Sequence, residues 1–192
     1  MTLTFTRHRR AERYELRPHG ADPVHVHRGA PDGRALPEGC EPRFTLAADP
    51  DGARPLAIVV RRKGDGHLAV LAPDHAHLAE LRLTPRKKLR RPKYEIHLPG
   101  GEVLRGREGT VPSLLLWLVM LPFVLVYLVA LTLSDMPADE VGSPLRTAWK
   151  RPGGLIGRVA MTESARGRFR VPGDGLDHRV AYAQAVAKYW KQ

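Results

Sequence analysis

From residue 43 onwards the chain alternates apolar and polar positions in short runs, each closed by a turn rich in Asp, Gly or Pro. RFTLA (43–47) leads into Asp49-Pro50-Asp51-Gly52, and PLAIVVRR (55–62) precedes Gly64-Asp65-Gly66. HLAVLA (67–72) and HLAELRL (77–83) flank Pro73-Asp74-His75, while KYEIHL (93–98) and EVLR (102–105) flank Pro99-Gly100-Gly101. Side chains point to opposite faces at successive strand positions, so each run buries one face, and the turn residues reverse its direction. Three hairpins in succession predict a mainly β fold, an antiparallel meander closed as a barrel or stacked as a sandwich.

The same pattern resumes late in the chain. RTAWK (146–150) and LIGRVAM (155–161) flank Pro152-Gly153-Gly154, and GRFRV (167–171) adds a strand. LDHRVAYAQAVAKYW (176–190) then predicts a helix with Asp177 at its N-terminus, where a carboxylate accepts from free backbone N–H groups. Small apolar residues cover most of its circumference. Such a helix suits close packing on several sides, as inside a barrel; an amphipathic helix on one sheet face is the other arrangement. Residues 1–42 carry only RYELR (13–17) as a short alternating run and otherwise read as a flexible, Pro- and Gly-rich lead-in.

One stretch obeys a different rule. Val111 to Leu133 spans 23 residues without a charge, a helix of about 34 Å against a hydrocarbon core of about 30 Å. Its apolar side chains face every direction, as on a lipid-exposed helix, and residues 111–134 are expected to enter a membrane. Pro112 sits near the start, Trp117 and Tyr127 are potential interfacial anchors, and Pro122 interrupts the middle. Two geometries follow: one tilted span, or two half-helices that enter and leave on the same side with Pro122 at the apex. The strands in residues 145–192 are too few to bury a core alone, so they are expected to complete the sheet begun in residues 43–110 as one domain around the insertion, which favours the second geometry.

Composition adds a sign. The formal charge is +11, with 31 Lys and Arg against 20 Asp and Glu, which points to acidic partners. There is no Asn, Ile is scarce and Arg outnumbers Lys, the usage of a GC-rich bacterial genome, so part of the basicity is compositional. The single cysteine, Cys40, rules out an intramolecular disulfide and a cysteine-based zinc site. The first residues have no apolar core of a signal peptide, so the N-terminal part is expected in the cytoplasm, with 111–133 as an internal anchor.

FTLAADPDGARPLAIVVRR, the WKRPGGLIGRVA hairpin, FRV and the terminal LDHRVAYAQAVA helix together resemble the tubby C-terminal-like superfamily, which includes LURP-one-related proteins and phospholipid scramblases. The resemblance covers residues 43–110 and 145–190 and rests on the order of elements. It implies a 12-stranded barrel enclosing a C-terminal helix, and a lipid-associated module rather than an enzyme. The family's barrel does not ordinarily carry a long apolar insertion. The cysteine cluster and acidic calcium-binding segment of scramblases are absent, so neither scrambling nor calcium dependence is carried over.

The densest charge is RLTPRKKLRRPK (82–93): Arg82, Arg86, Lys87, Lys88, Arg90, Arg91 and Lys93 without one acid. Beside a membrane segment, such a run attracts anionic headgroups at about 1 kcal/mol per residue. Elsewhere it would be a solvated loop; nucleic acid is disfavoured because only Tyr94 stands close enough to stack. Two His-x-His pairs, His25/His27 and His75/His77, have no carboxylate or cysteine at ligand spacing, so no metal site and no cofactor are expected. No nucleotide loop, nucleophile elbow or zinc-protease motif occurs. The sequence therefore reads as a non-enzymatic membrane-anchored β-domain that binds anionic lipid or a protein partner at the cytoplasmic face. The alternative is a single-pass protein with an external C-terminal sensor or assembly region.

Overall fold

The computed structural model describes residues 2–10, 13–31, 36–64, 66–84, 92–108, 118–119, 122, 147–152, 158–164, 167–173 and 176–190. Twelve antiparallel strands close into a barrel: β1 (Leu3–Arg10), β2 (Arg13–Pro18), β3 (Val24–Arg28), β4 (Cys40–Ala47), β5 (Pro55–Arg62), β6 (Leu68–Leu71), β7 (His77–Thr84), β8 (Lys93–His97), β9 (Val103–Glu108), β10 (Thr147–Lys150), β11 (Val159–Glu163) and β12 (Arg168–Val171). Neighbours in sequence are neighbours in the wall, and β1 closes the circle against β12 with Phe5 opposite Phe169. The mainly β barrel expected from the hairpins is thus observed.

Alternation decides which residues fill the lumen. On β5, Ala57 and Val59 face the interior core while Ile58 and Val60 join a second cluster outside the wall with Ala69, Leu71, Leu36 and Cys40. Turn chemistry sets the register. Asp49 accepts from the N–H groups of Ala53 and Arg54 at 3.0 and 2.9 Å, and Gly101 takes the left-handed conformation (φ 79°) that the β8–β9 turn requires.

The lumen is filled by α1 (His178–Ala187). Asp177 caps it, accepting from Arg179 N at 2.8 Å, and every residue from Val180 to Ala187 is buried. Six of those eight positions are Ala or Val, small enough for the helix to pack on β4, β5, β7 and β12 at once. Tyr182 supplies bulk lower down, meeting Phe5 edge-on at 4.9 Å while Phe5 stacks on Phe169. Burial on all sides corresponds to the lumenal arrangement, not to a helix on one sheet face.

Two expectations are corrected or bounded. The lead-in through residue 42 is not a flexible stretch with one strand: β1, β2, β3 and the start of β4 lie within it and complete the wall. Few residues there are apolar, but Leu3, Phe5, Leu16, Val24 and Val26 all contribute to the core. The membrane segment 111–134 falls almost wholly outside the described residues. Leu118, Val119 and Pro122 are described; they are helical, and Leu118 and Val119 are 63% and 66% exposed. Among the described residues no helix is long and apolar enough to cross a membrane.

Candidate membrane-facing end and its pocket

The registers sort the connections between strands onto two ends. Cys40 pairs with Arg62, Thr84 with Lys93, Lys93 with Arg107, Glu108 with Thr147, and Thr147 with Glu163. All of these positions therefore lie at one end, called the upper end here. Connections β5–β6, β7–β8, β9–β10 and β11–β12 start and finish there, and α1 rises from the opposite end to deliver Lys188, Tyr189 and Trp190 to it. The basic run departs after Thr84 and the apolar segment after Glu108. Only β8 separates the two points of departure.

The apolar segment also returns where it leaves. Glu108 and Thr147 are directly paired neighbours, so residues 109–146 begin and end side by side. A buried polar cluster fixes the point of return. Lys188 Nζ lies 2.7 Å from Glu163 Oε2 and donates to Thr147 Oγ1 at 2.9 Å, and the Tyr189 hydroxyl donates to Glu163 Oε1. The Lys188 and Glu163 side chains are only 6% and 3% exposed, and the ammonium sits 4.9 Å from the centroid of the Tyr94 ring. The cluster ties the last turn of the lumenal helix to β10 and β11. Beneath it, Trp149 lies so close over Gly106 that a Cβ there would stand 2.5 Å from the indole nitrogen. Only glycine fits.

Beside the helix end, the upper lumen opens as a cavity of about 380 Å³. Phe44, Leu68, Leu81, Leu83, Ala187 and Trp190 give it an apolar lining, Arg43 and Arg61 bring charge to its rim, and His67 stands beside them. Arg61 continues the inward series Ala57, Val59 on β5, opposite Leu68, and reaches over the Gly66 turn. Arg43 stands at the irregularity between Pro42 and Phe44 on β4. Both arginines are partly buried, and neither has an ion-pair or hydrogen-bond partner for its guanidinium among the described residues. That contrasts with the outer wall. There Glu80 gathers Arg82 at 2.7 Å, His67 at 3.1 Å and Arg62 at 3.6 Å. Burial works against ionisation of Glu80, yet the hydrogen bond and charge of Arg82, with His67 and Arg62, outweigh it and hold the carboxyl below its ordinary range.

The residues singled out in sequence are distributed unevenly. Arg82 is engaged by Glu80 on the barrel wall, and Lys93 is exposed at the upper end of β8. Arg86, Lys87, Lys88, Arg90 and Arg91, together with Pro112, Trp117 and Tyr127, lie outside the described residues; Pro122 is described as helical and exposed. His25 and His27 sit on β3 rather than in a loop, His75 occupies a turn at φ 67°, and His77 opens β7. Among the described residues no group of three or more His, Cys, Asp or Glu could hold a metal. The pocket was not anticipated. Its signal is Arg61, an arginine that extends an inward apolar row.

Compared with protein-family models, with curated proteins and with solved structures, the chain finds no match.

Proposed function

We propose that this protein is a membrane-anchored, non-enzymatic β-barrel domain that binds anionic lipid at the cytoplasmic face, its upper end towards the bilayer. One observation carries the reading: the polybasic run and the apolar segment leave the barrel at the same end. A domain held there would bring Arg86, Lys87, Lys88, Arg90 and Arg91 to the headgroups, each worth about 1 kcal/mol. The twelve-stranded barrel around a C-terminal helix is also what the tubby-like resemblance implies, which supports a lipid-associated module.

The pairing of Glu108 with Thr147 favours a re-entrant hairpin over a single span. After one crossing, residues 134–146 would have to return through hydrocarbon carrying Asp135, Asp139 and Glu140. Intramembrane acids cost about 2.5–3.5 kcal/mol each, and an extended backbone would leave its polar groups unsatisfied. Two half-helices of about 11 residues, turning at Pro122, each reach about 17 Å, roughly half the core thickness. A single-pass arrangement would instead pull β10 away from β9 and open the barrel.

Vesicle flotation tests the lipid reading. Because Glu108 and Thr147 are paired, a two-residue Asn-Gly turn can replace 109–146 and close β9 on β10 without the anchor. This shortened chain is expected to float with phosphatidylserine-containing vesicles, not with pure phosphatidylcholine, and to detach as salt rises. Changing Arg86, Lys87, Lys88, Arg90 and Arg91 to Gln should abolish flotation. Equal flotation of both forms removes the proposed role of the run.

A further inference from the structure

We propose that the upper-lumen cavity is a binding site for one acyl chain bearing an anionic head, a carboxylate or a phosphate, with Arg61 and Arg43 as its head-binding residues. The chemistry follows from the lining. A pocket of about 380 Å³ is of small-molecule size, and Phe44, Leu68, Leu81, Leu83, Ala187 and Trp190 give it an apolar wall beside a polar rim, a division that suits an amphiphile. The ring of Trp190 is held 5.1 Å from that of Phe44, so the wall is fixed by packing rather than by a mobile side chain.

The two guanidiniums supply the charge selection. The other partly buried arginines among the described residues meet acids: Arg82 meets Glu80, Arg179 meets Asp177 and Arg151 meets Glu102. Arg61 and Arg43 meet none among the described residues, although both are partly withdrawn from water. A partly buried guanidinium without a carboxylate is complementary to a planar or tetrahedral oxyanion, which it binds through paired N–H donors. Nor does the site favour a cation: among the described residues that line it the charged groups are Arg43 and Arg61.

Position sets the orientation. The last carbonyls of α1 end beside Ala187 and carry partial negative charge, which repels an anion. The head therefore belongs at the rim, where Arg61 lies against the Gly66 turn, and the chain belongs against Ala187 and Trp190. Rim and acyl wall lie at the end from which residues 85–91 and 109–146 depart. That the bilayer delivers the chain rests on the proposed membrane-facing orientation; the pocket's chemistry does not.

The test is equilibrium binding to the full chain in phosphatidylcholine nanodiscs, with empty nanodiscs as background. The probes are radiolabelled oleate, lysophosphatidate and lysophosphatidylcholine. Saturable binding of oleate, lysophosphatidate or both at one per chain, with lysophosphatidylcholine left at background, supports the site; the better of the two names the head as carboxylate or phosphate. Arg61→Gln and Arg43→Gln should each weaken the anionic probe about 10- to 100-fold, the worth of one charged hydrogen bond. Arg61→Lys should retain part of the affinity, and Leu83→Trp, which fills the cavity, should abolish it. Because Leu83→Trp also risks the fold, each variant is checked by its melting transition. A folded Arg61→Gln, Arg43→Gln double variant that binds like the parent overturns the proposal. Equal binding of lysophosphatidylcholine does the same, as does displacement of the probe by inorganic phosphate as effectively as by unlabelled lysophosphatidate. The form with Arg86, Lys87, Lys88, Arg90 and Arg91 changed to Gln should keep the parent's affinity, so failure of the surface run and failure of the pocket give different results.

Discussion

Replacing Lys188 with Met keeps most of the length and the apolar stem of the side chain but removes its charge from a site 6% exposed. The substitution deletes the contact to Glu163 at 2.7 Å, the bond to Thr147 at 2.9 Å and the placement over Tyr94 at 4.9 Å. Glu163, itself 3% exposed, is left as a buried carboxylate whose remaining hydrogen bond comes from Tyr189. Breaking a buried pair in this way costs about 3–5 kcal/mol, a large part of the 5–15 kcal/mol of a typical domain. For a chain of this size that is a fall in Tm of roughly 6–20 °C. The double change Lys188→Met with Glu163→Leu should recover to within about 1–2 kcal/mol of the parent, because no charge is then stranded. Chemical denaturation of the detergent-solubilised full chain, followed by fluorescence, measures all three forms. The surface pair Arg17–Glu15 is the control, and Arg17→Gln should change nothing measurable. A loss below about 1 kcal/mol for Lys188→Met, or an equal loss in single and double variants, would refute the claim that this pair pins the helix end to the strands after the insertion.

Gly106→Ala should destabilise the barrel by about 1–3 kcal/mol, since the added Cβ would stand 2.5 Å from an indole that is fully buried; unchanged denaturation would show that the Trp149 ring can yield. Asp177→Ala should cost about 1 kcal/mol through loss of the helix cap, whereas Asp177→Asn should keep most of it. The two forms also separate cap from charge. Burial opposes ionisation of Asp177, but its hydrogen bonds from Arg179 and that residue's charge outweigh this and hold the carboxyl below its ordinary range. A depressed carboxyl contributes stability above its unfolded pKa of about 4 and loses it as pH falls through the folded value. The parent should therefore lose stability below about pH 5 more steeply than Asp177→Asn, and parallel acid profiles would contradict that sign.

The middle of the barrel was legible because its turns are chemically explicit: Asp-Pro-Asp-Gly, Pro-Asp-His and Pro-Gly-Gly separate apolar runs whose alternation survives inspection. Of the first three strands only β2 was, as RYELR. In LTFTRHRR and VHVHR the inward residues Leu3, Phe5, Val24 and Val26 alternate with Thr, Arg and His, so polar residues on the outer face obscure a short apolar row. VHVHR drew attention as two imidazoles when its structural content was two valines. The Lys188–Glu163–Thr147 cluster has no local signature, since its members are 25 and 41 residues apart and meet only when the barrel closes on its helix. Arg61 was visible as part of a basic end to PLAIVVRR, but its meaning depends on knowing that Ala57 and Val59 point inward.

The central claim is that both parts of the barrel lie on one side of the membrane, with residues 111–133 entering and leaving by the same face. In a Cys40→Ser chain, Asp51→Cys in an exposed lower turn and Gln192→Cys at the C-terminus place single thiols before and after the insertion. An impermeant maleimide applied to intact cells, and again after permeabilisation, reads the side of each. The account predicts that neither thiol reacts in intact cells and both react once the membrane is opened; labelling of position 192 but not 51 in intact cells would contradict it.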